Sequence, residues 1–293
     1  MTNNNIIILT PLYNDWNNLN RLLQEINQHT TNMDNNFELV VVNDCSSIKG
    51  KINTLNLNKI KKATIINLKK NLGSQRAIAL GLKYILMEKK LSEKIIIIDS
   101  DGQDEPSIIP EIIKNSNLTP GITITINRAK RTEPLWFKFL YEMHCYALFF
   151  FTGKKIRYGN YGLIYMKNVT RLLKSGDLWG AYPSAIANNI SKIKRIYKDR
   201  KERYSGTSKM SFFNLLKHSL SIIAVFKKTL LIRSILFLIA YLFLVIGKIS
   251  IITLIPVVGV IIMMLSVITL SKRENMSEYI SSLENIVGID KIK

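Results

Sequence analysis

The chain has 293 residues, with 41 Lys+Arg against 21 Asp+Glu for a formal net charge of +20, and 47% of the residues are hydrophobic. That length allows one large domain or one domain with an appendage, and a charged fraction of 21% with a mean hydropathy of +0.10 excludes a disordered, collagen-like or coiled-coil chain. The positive excess selects polyanions as partners: nucleic acid, an anionic bilayer surface or a phosphorylated substrate.

Met1 to Asn5 is polar and uncharged, and the apolar run Ile6–Leu9 is too short for a signal-peptide core, so the front half is expected to stay cytosolic. Short β-branched runs then alternate with longer helical stretches. Strands are predicted over Ile6–Leu9, Phe37–Val42, Thr64–Ile66, Lys94–Ile98 and Ile122–Ile126, and helices over about Asn17–His29, Ser74–Lys90 and Pro106–Asn115. Val/Ile runs without polar alternation suit strands covered on both faces. The alternation of β and α therefore predicts an α/β fold, a mostly parallel sheet with helices on both faces. Cys45 and Cys145 are too few for a disulfide framework, no Cys or His pair has zinc-site spacing, and a reducing compartment is expected.

Leu135 to Phe151 predicts a partly aromatic helix, for which packing on the domain and contact with a membrane are equally open. Ser211 to Thr229 predicts a basic amphipathic helix lying in an interface, Phe212, Phe213, Leu215 and Leu216 opposing Lys217, His218, Lys227 and Lys228. Leu230 to Ile246 is apolar apart from Arg233, and Ile249 to Leu270 carries no charge over 22 residues, which at 1.5 Å per residue spans the roughly 30 Å hydrocarbon layer. These stretches predict a two-helix transmembrane hairpin over 230–270. Lys227, Lys228 and Arg233 before it and Lys272 and Arg273 after it put both ends on the cytoplasmic side. The organisation expected is a cytosolic α/β domain over 1–210, an interfacial helix over 211–229, the hairpin, and a cytosolic tail over 271–293. With much of the charge flanking apolar helices, nucleic-acid binding is not expected.

No fixed repeat, no G-x-G-x-x-G and no phosphate-loop motif occurs. The sharpest chemical signal is Asp99-Ser100-Asp101-Gly102-Gln103-Asp104-Glu105-Pro106, directly after a predicted strand. Carboxylates there sit at the crevice where open α/β sheets bind ligands. Two Asp one residue apart can converge on a hard divalent cation that also binds a diphosphate, although the same residues also suit a solvated turn before the Pro106 helix.

With four further segments, this one resembles the GT-A fold of glycosyltransferase family 2, in particular its polyprenyl-phosphate branch. Thr10-Pro11-Leu12-Tyr13-Asn14-Asp15 resembles V-P-x-Y-N-E, and Val42-Asn43-Asp44-Cys45-Ser46 resembles V-D-D-G-S with Asn43 and Cys45 as departures. Asn71-Leu72-Gly73-Ser74-Gln75-Arg76-Ala77 resembles N-x-G-x-x-x-A; Asp99 to Pro106 resembles D-x-D-x-Q-D-x-P; Arg203 to Lys209 resembles R-x-x-G-x-S-K. The resemblance implies Pro11, Tyr13, Asn14 and Asp44 around the nucleoside, with Asn71 and Gly73 beside them. It implies Asp99 and Asp101 on Mg²⁺ or Mn²⁺, and Gln103 and Asp104 near the sugar. Arg128, Arg131, Arg203 and Lys209 are expected at the phosphates, where guanidinium groups bind oxygens bidentately. Catalysis is expected from Asp101, Asp104 and Arg203.

Where relatives carry G-D-F-R-L, this chain has Gly159-Asn160-Tyr161-Gly162-Leu163, so no general base can be placed there. A lipid phosphate needs no such base, being already anionic. No Q-x-x-R-W motif of processive members occurs. The expectation is an integral membrane enzyme of a bacterial inner membrane, inverting, moving one sugar from a nucleotide-diphosphate sugar to polyprenyl (undecaprenyl) phosphate. A homo-oligomer and a lipid flippase are partners at family level. The alternatives are transfer to a saccharide hydroxyl of a lipid-linked intermediate, or a non-catalytic membrane scaffold with a degenerate nucleotide site.

Overall fold

The computed structural model describes residues 4–88, 92–128, 135–205, 219–271 and 275–292. Its first part alternates β1 (Asn5–Leu12), α1 (Trp16–Thr30), β2 (Asn36–Asn43), β3 (Ile60–Leu68), α2 (Ser74–Met87) and β4 (Lys94–Ile97). A 3-10 turn over Pro106–Ile108, with proline in the first helical position where no N–H is needed, runs into α3 (Ile109–Leu118). Then come β5 (Thr123–Arg128), α4 (Leu135–Thr152), β6 (Tyr158–Tyr165), α5 (Met166–Lys174), α6 (Asp177–Gly180), α7 (Tyr182–Asn189) and β7 (Ile193–Lys198). The strands predicted from Val/Ile runs are all present. β6 and β7 carry Tyr, Gly, Lys and Arg rather than unbroken Val/Ile, which leaves them without the apolar run that marks the others.

Successive residues of the buried strands point to opposite faces, so each strand feeds two cores. Ile7, Leu9, Val40, Val42, Ile95 and Ile97 pack with Ile78, Leu82 and Ile85 of α2 and with Trp179 and Tyr182. Ile6, Ile8, Leu39, Val41 and Ile96 pack with Leu19, Leu22, Leu23 and Ile26 of α1 and with Ile109, Ile112 and Ile113 of α3.

After this domain come α8 (Lys227–Val245) and α9 (Ile251–Ser271), both long and apolar enough to cross a membrane, with only 11% of the best apolar window of each buried. A soluble core helix would be covered; these are not. Residues 211–218 of the expected interfacial helix lie outside the described residues. Its later part differs from the expectation: residues 219–224 are helical, and Ile223–Phe226 and Leu230 are buried in the first core. The Ser184 hydroxyl of α7 ties this segment down by donating to the Ile222 carbonyl at 2.8 Å. The domain thus grips the root of α8.

α4 lies against α8. Phe150 and Phe151 meet Phe237 edge to face at 5.9 and 6.2 Å, and Arg233 Nη1 donates to the Phe150 carbonyl at 2.9 Å. Cys145 and Leu148 are buried, whereas Phe139, Met143, Tyr146 and Phe149 are exposed. One side of this helix thus packs inward, and the other is left uncovered.

The stretch expected as a tail is folded. Helix α10 (Met276–Ile280), capped by Asn275 on the N–H groups of Ser277 and Glu278, leads through a 3-10 turn to β8 (Ile286–Lys291). β8 pairs antiparallel with β3, completing an eight-stranded sheet in the order β7-β5-β6-β4-β1-β2-β3-β8. β1 to β4 run parallel, β5 and β7 run parallel to one another, and β6 and β8 are antiparallel to their neighbours. Glu278 fixes the return: it accepts from Arg76 at 3.2 Å, Lys70 at 3.5 Å and Trp179 Nε1 at 3.4 Å. Arg76 in turn lies over the Trp179 ring at 4.8 Å. The two apolar helices consequently leave and re-enter one domain. The apolar stretch over 230–270 is legible in the sequence; the strand behind it, alternating Gly and Asp with Ile and Val, is not.

Candidate active site

In a parallel sheet the side chains free to form a site are those just past the carboxyl ends of the strands. At the end of β1, Asn14 takes a left-handed conformation, φ 54°. Its N–H donates to Ser46 Oγ at 2.9 Å, its side chain donates to Ser47 Oγ at 3.0 Å, and its Oδ1 accepts from the Ile48 N–H at 2.9 Å. The loops after β1 and β2 are thereby knitted together. Cys45, in the position of the motif's glycine, is also left-handed at φ 59°, so the backbone keeps the turn that glycine serves in relatives.

Asp44 is only 3% exposed. Its two oxygens accept from the Leu72 N–H at 2.7 Å and the Gly73 N–H at 2.8 Å, and burial pushes its carboxyl pKa up while these two hydrogen bonds hold it down. Expected beside the nucleoside, it serves in the structure as a staple between the β2 loop and the start of α2. Pro11 is buried within β1, while Tyr13 and Asn71 are exposed along the same edge. Asn43 donates from Nδ2 to Asn67 Oδ1 at 2.8 Å, and Asn67 donates to Asp290 of β8 at 2.8 Å. Asn43 is thus linked through Asn67 to a carboxylate on β8.

Past β4, Asp99 accepts from Asn160 Nδ2 at 3.1 Å; Asn160 Oδ1 accepts from Gln75 Nε2 at 2.9 Å, and Gln75 Oε1 accepts from the Tyr182 N–H at 2.8 Å. Asn160 is therefore the complement of Asp99, and an aspartate there would face a second carboxylate. Gly162, where relatives have Arg, is explained as directly: a Cβ would stand 2.2 Å from the Ile124 carbonyl oxygen of β5.

Asp101 Oδ1 accepts from the Gln103 N–H at 3.0 Å, and its Oδ2 lies 3.6 Å from Arg203 Nη1. Gly102 has φ +77°, and a Cβ on it would meet the Tyr204 ring at 2.2 Å. The segment after β7 lies across this loop as a strap. The Lys201 N–H donates to the Gln103 carbonyl at 3.1 Å and the Tyr204 N–H to the Asp101 carbonyl at 3.2 Å. Lys201 pairs with Glu105 at 2.8 Å, a contact that lowers the Glu105 pKa, and Arg203 reaches Asp15 at 3.3 Å. The Tyr204 hydroxyl donates to Glu25 at 2.7 Å under the Arg21 guanidinium, and its own pKa is pushed above the ordinary range, chiefly by burial. Asp99, Gln103, Asp104, Asn160 and Arg200 line a cleft beside the strap.

Pro11, Tyr13, Asn14, Asp44, Asn71, Gly73, Asp99, Asp101, Gln103, Asp104 and Arg203 thus share one edge of the sheet, and Arg128 closes β5 at that edge. Arg131 and Lys209 lie outside the described residues. Gln75 and Arg200 were not singled out from the sequence, because a lone amide or a lone base in so basic a chain carries no signal. For a divalent cation, Asp99 and Asp101 offer hard oxygen donors. Among the described residues no cluster of three ligating side chains forms, so such a cation fits only with substrate phosphate and water completing its shell, the usual manner of Mg²⁺.

A family model described as Glycosyl transferase family 2 matches residues 7–178. An uncharacterized glycosyltransferase of Synechocystis sp. is 26% identical over 227 residues, covering 73% of this chain and 66% of that protein. An undecaprenyl-phosphate 4-deoxy-4-formamido-L-arabinose transferase of Photorhabdus laumondii is 25% identical over 217 residues, covering 72% of this chain and 64% of the relative. Both matches span slightly less than two thirds of the relatives' own lengths. In fold, the chain is similar to glucosyl-3-phosphoglycerate synthase from Mycobacterium tuberculosis, solved with Mn²⁺, UDP-glucose and phosphoglyceric acid. The TM-score is 0.51 at 12% identity, over 77% of this chain and 79% of that one. Mannosyl-3-phosphoglycerate synthase from Rubrobacter xylanophilus gives 0.51 at 11% identity, over 75% and 72%.

Proposed function

The chain belongs to glycosyltransferase family 2, and on that premise we propose that it moves one sugar from a nucleotide-diphosphate sugar to a polyprenyl phosphate at a membrane surface, with inversion. The observation that carries this reading is the joining, in one body, of an acidic loop under a basic strap and two uncovered apolar helices rooted in the same domain. The undecaprenyl-phosphate transferase among the relatives supports the acceptor class.

In this reading the loops after β1 and β2 and the start of α2 hold the nucleoside. Asp101 and Asp99 hold Mg²⁺ or Mn²⁺, which when bound supplies positive charge to the departing diphosphate. Arg203, forked between Asp15 and Asp101, positions the strap over the diphosphate. Asn160 and Gln75 fix the rotamer of Asp99, and the cleft beyond it admits the acceptor. The lipid phosphate oxygen forms a bond to the anomeric carbon as the bond to the diphosphate oxygen breaks on the opposite face. The nucleotide leaves with the electron pair and no proton is moved, so the loss of an acid at Asn160 costs the reaction nothing. The hairpin spans the bilayer with the domain at its surface, and the uncovered side of α4 faces headgroups.

Purified full-length protein, given labelled UDP-hexoses, UDP-N-acetylhexosamines or GDP-mannose with undecaprenyl phosphate, is expected to produce a labelled monophosphoryl lipid from one donor. Absence of label with every donor overturns the reading. A second reading rests on Asp104, a carboxylate in the cleft able to serve as base for an alcohol. It requires label to appear only when a lipid-linked saccharide replaces the lipid phosphate.

A further inference from the structure

The strap carries four basic residues between 198 and 203, and their surroundings differ. Lys198 pairs with Glu111 at 2.8 Å, Lys201 with Glu105 at 2.8 Å, and Arg203 with Asp15 at 3.3 Å and Asp101 at 3.6 Å. Arg200 is partly buried, its Nε is shielded from solvent without an acceptor, and its guanidinium makes no ion pair among the described residues. It nevertheless lines the cleft with Asp99, Gln103, Asp104 and Asn160. A cation withdrawn from water without a partner is unfavourable, and a guanidinium offering two Nη–H groups side by side matches two oxygens of one phosphate.

The order of strands says which phosphate. Along the edge β2-β1-β4-β6-β5-β7, the nucleoside loops follow β2 and β1, the acidic loop follows β4, and Asn160 lies near the start of antiparallel β6. Arg200 lies beyond β7, on the far side of Asp99 and Asp101 from the nucleoside loops. A donor diphosphate reaches from the nucleoside to the acidic loop; a second phosphate would arrive from the other side.

We propose that Arg200 binds the acceptor's phosphate monoester in this cleft, an assignment that rests on the function proposed above. The two Nη groups hold two of the three terminal oxygens, and the third stays free to attack the anomeric carbon. The guanidinium also offsets the repulsion that Asp99 and Asp104 exert on an incoming dianion.

The test uses full-length protein in nanodiscs, with Arg200→Gln and Arg200→Lys. Arg200→Gln is expected to raise KM for undecaprenyl phosphate about ten- to a hundredfold, to leave the dissociation constant of the donor's nucleotide diphosphate within about twofold, and to weaken binding of farnesyl phosphate but not of farnesol. Arg200→Lys, which keeps the charge, recovers part of the loss and serves if the Gln variant does not fold. An unchanged acceptor KM in both variants overturns the proposal. So does an equal loss of nucleotide affinity, which would assign Arg200 to the donor diphosphate. Wild-type protein inactive on the lipid phosphate would instead defeat the parent reading.

Discussion

Strand β4 and helix α9 are made of the same residue types and meet opposite surroundings. Ile95, Ile96 and Ile97 are 0% exposed, whereas Ile251 and Ile252 are 86% and 77% exposed. In the sheet, side chains alternate to two faces and each face finds a helix, so the apolar surface is satisfied within the chain. In the hairpin the helices touch one another and α4 but leave most of their circumference bare, so their apolar surface calls for a solvent other than water. Apolarity says that a segment avoids water; its length and periodicity say how.

The contrast can be broken first at the acidic loop. Asp101→Ala is expected to lower sugar transfer by roughly a thousandfold or more, with the protein still folded and its membrane fraction unchanged. Wild-type turnover in that variant would remove the loop from the chemistry. Next, Ile96→Ala should lower domain stability by about 2–5 kcal/mol in chemical denaturation, while Ile252→Ala should leave it unchanged; equal losses would mean that the hairpin packs in a protein core. At the junction of the two regions, Glu278→Ala removes the acceptor shared by Arg76, Lys70 and the Trp179 N–H, and should cost about 1–2 kcal/mol, seen as faster hydrogen exchange over 276–291. The smallest effect is at Cys45. Relief of the left-handed backbone, about 1–2 kcal/mol, exceeds the backbone entropy that glycine adds, about 0.5–1 kcal/mol, so Cys45→Gly should raise the melting temperature slightly. A lower value would show that the thiol packs to advantage.

Much of this was legible beforehand, and the reasons differ by element. The buried strands β1, β2 and β4 declare themselves by unbroken Val/Ile runs, and the site loops by motif order. β6 is hidden because Gly159, Asn160 and Gly162 interrupt it, Asn160 meeting Asp99 and Gly162 allowing the close approach of β5. Asp44 was placed at the edge but not in its staple role, since two backbone donors arriving from a loop about thirty residues on leave no local trace. That Arg200 makes no ion pair among the described residues follows from what its neighbours pair with, a tertiary property no spacing encodes.

The return of the chain to β3 has a further consequence, for biosynthesis. The ribosome makes the final strand after both apolar helices, so the sheet cannot finish until they have been threaded past it. Until then β3 presents an unzipped border, and a chain halted before residue 275 would keep it. Completion of the sheet is in this way tied to the folding of both apolar helices, with β8 acting as the latch.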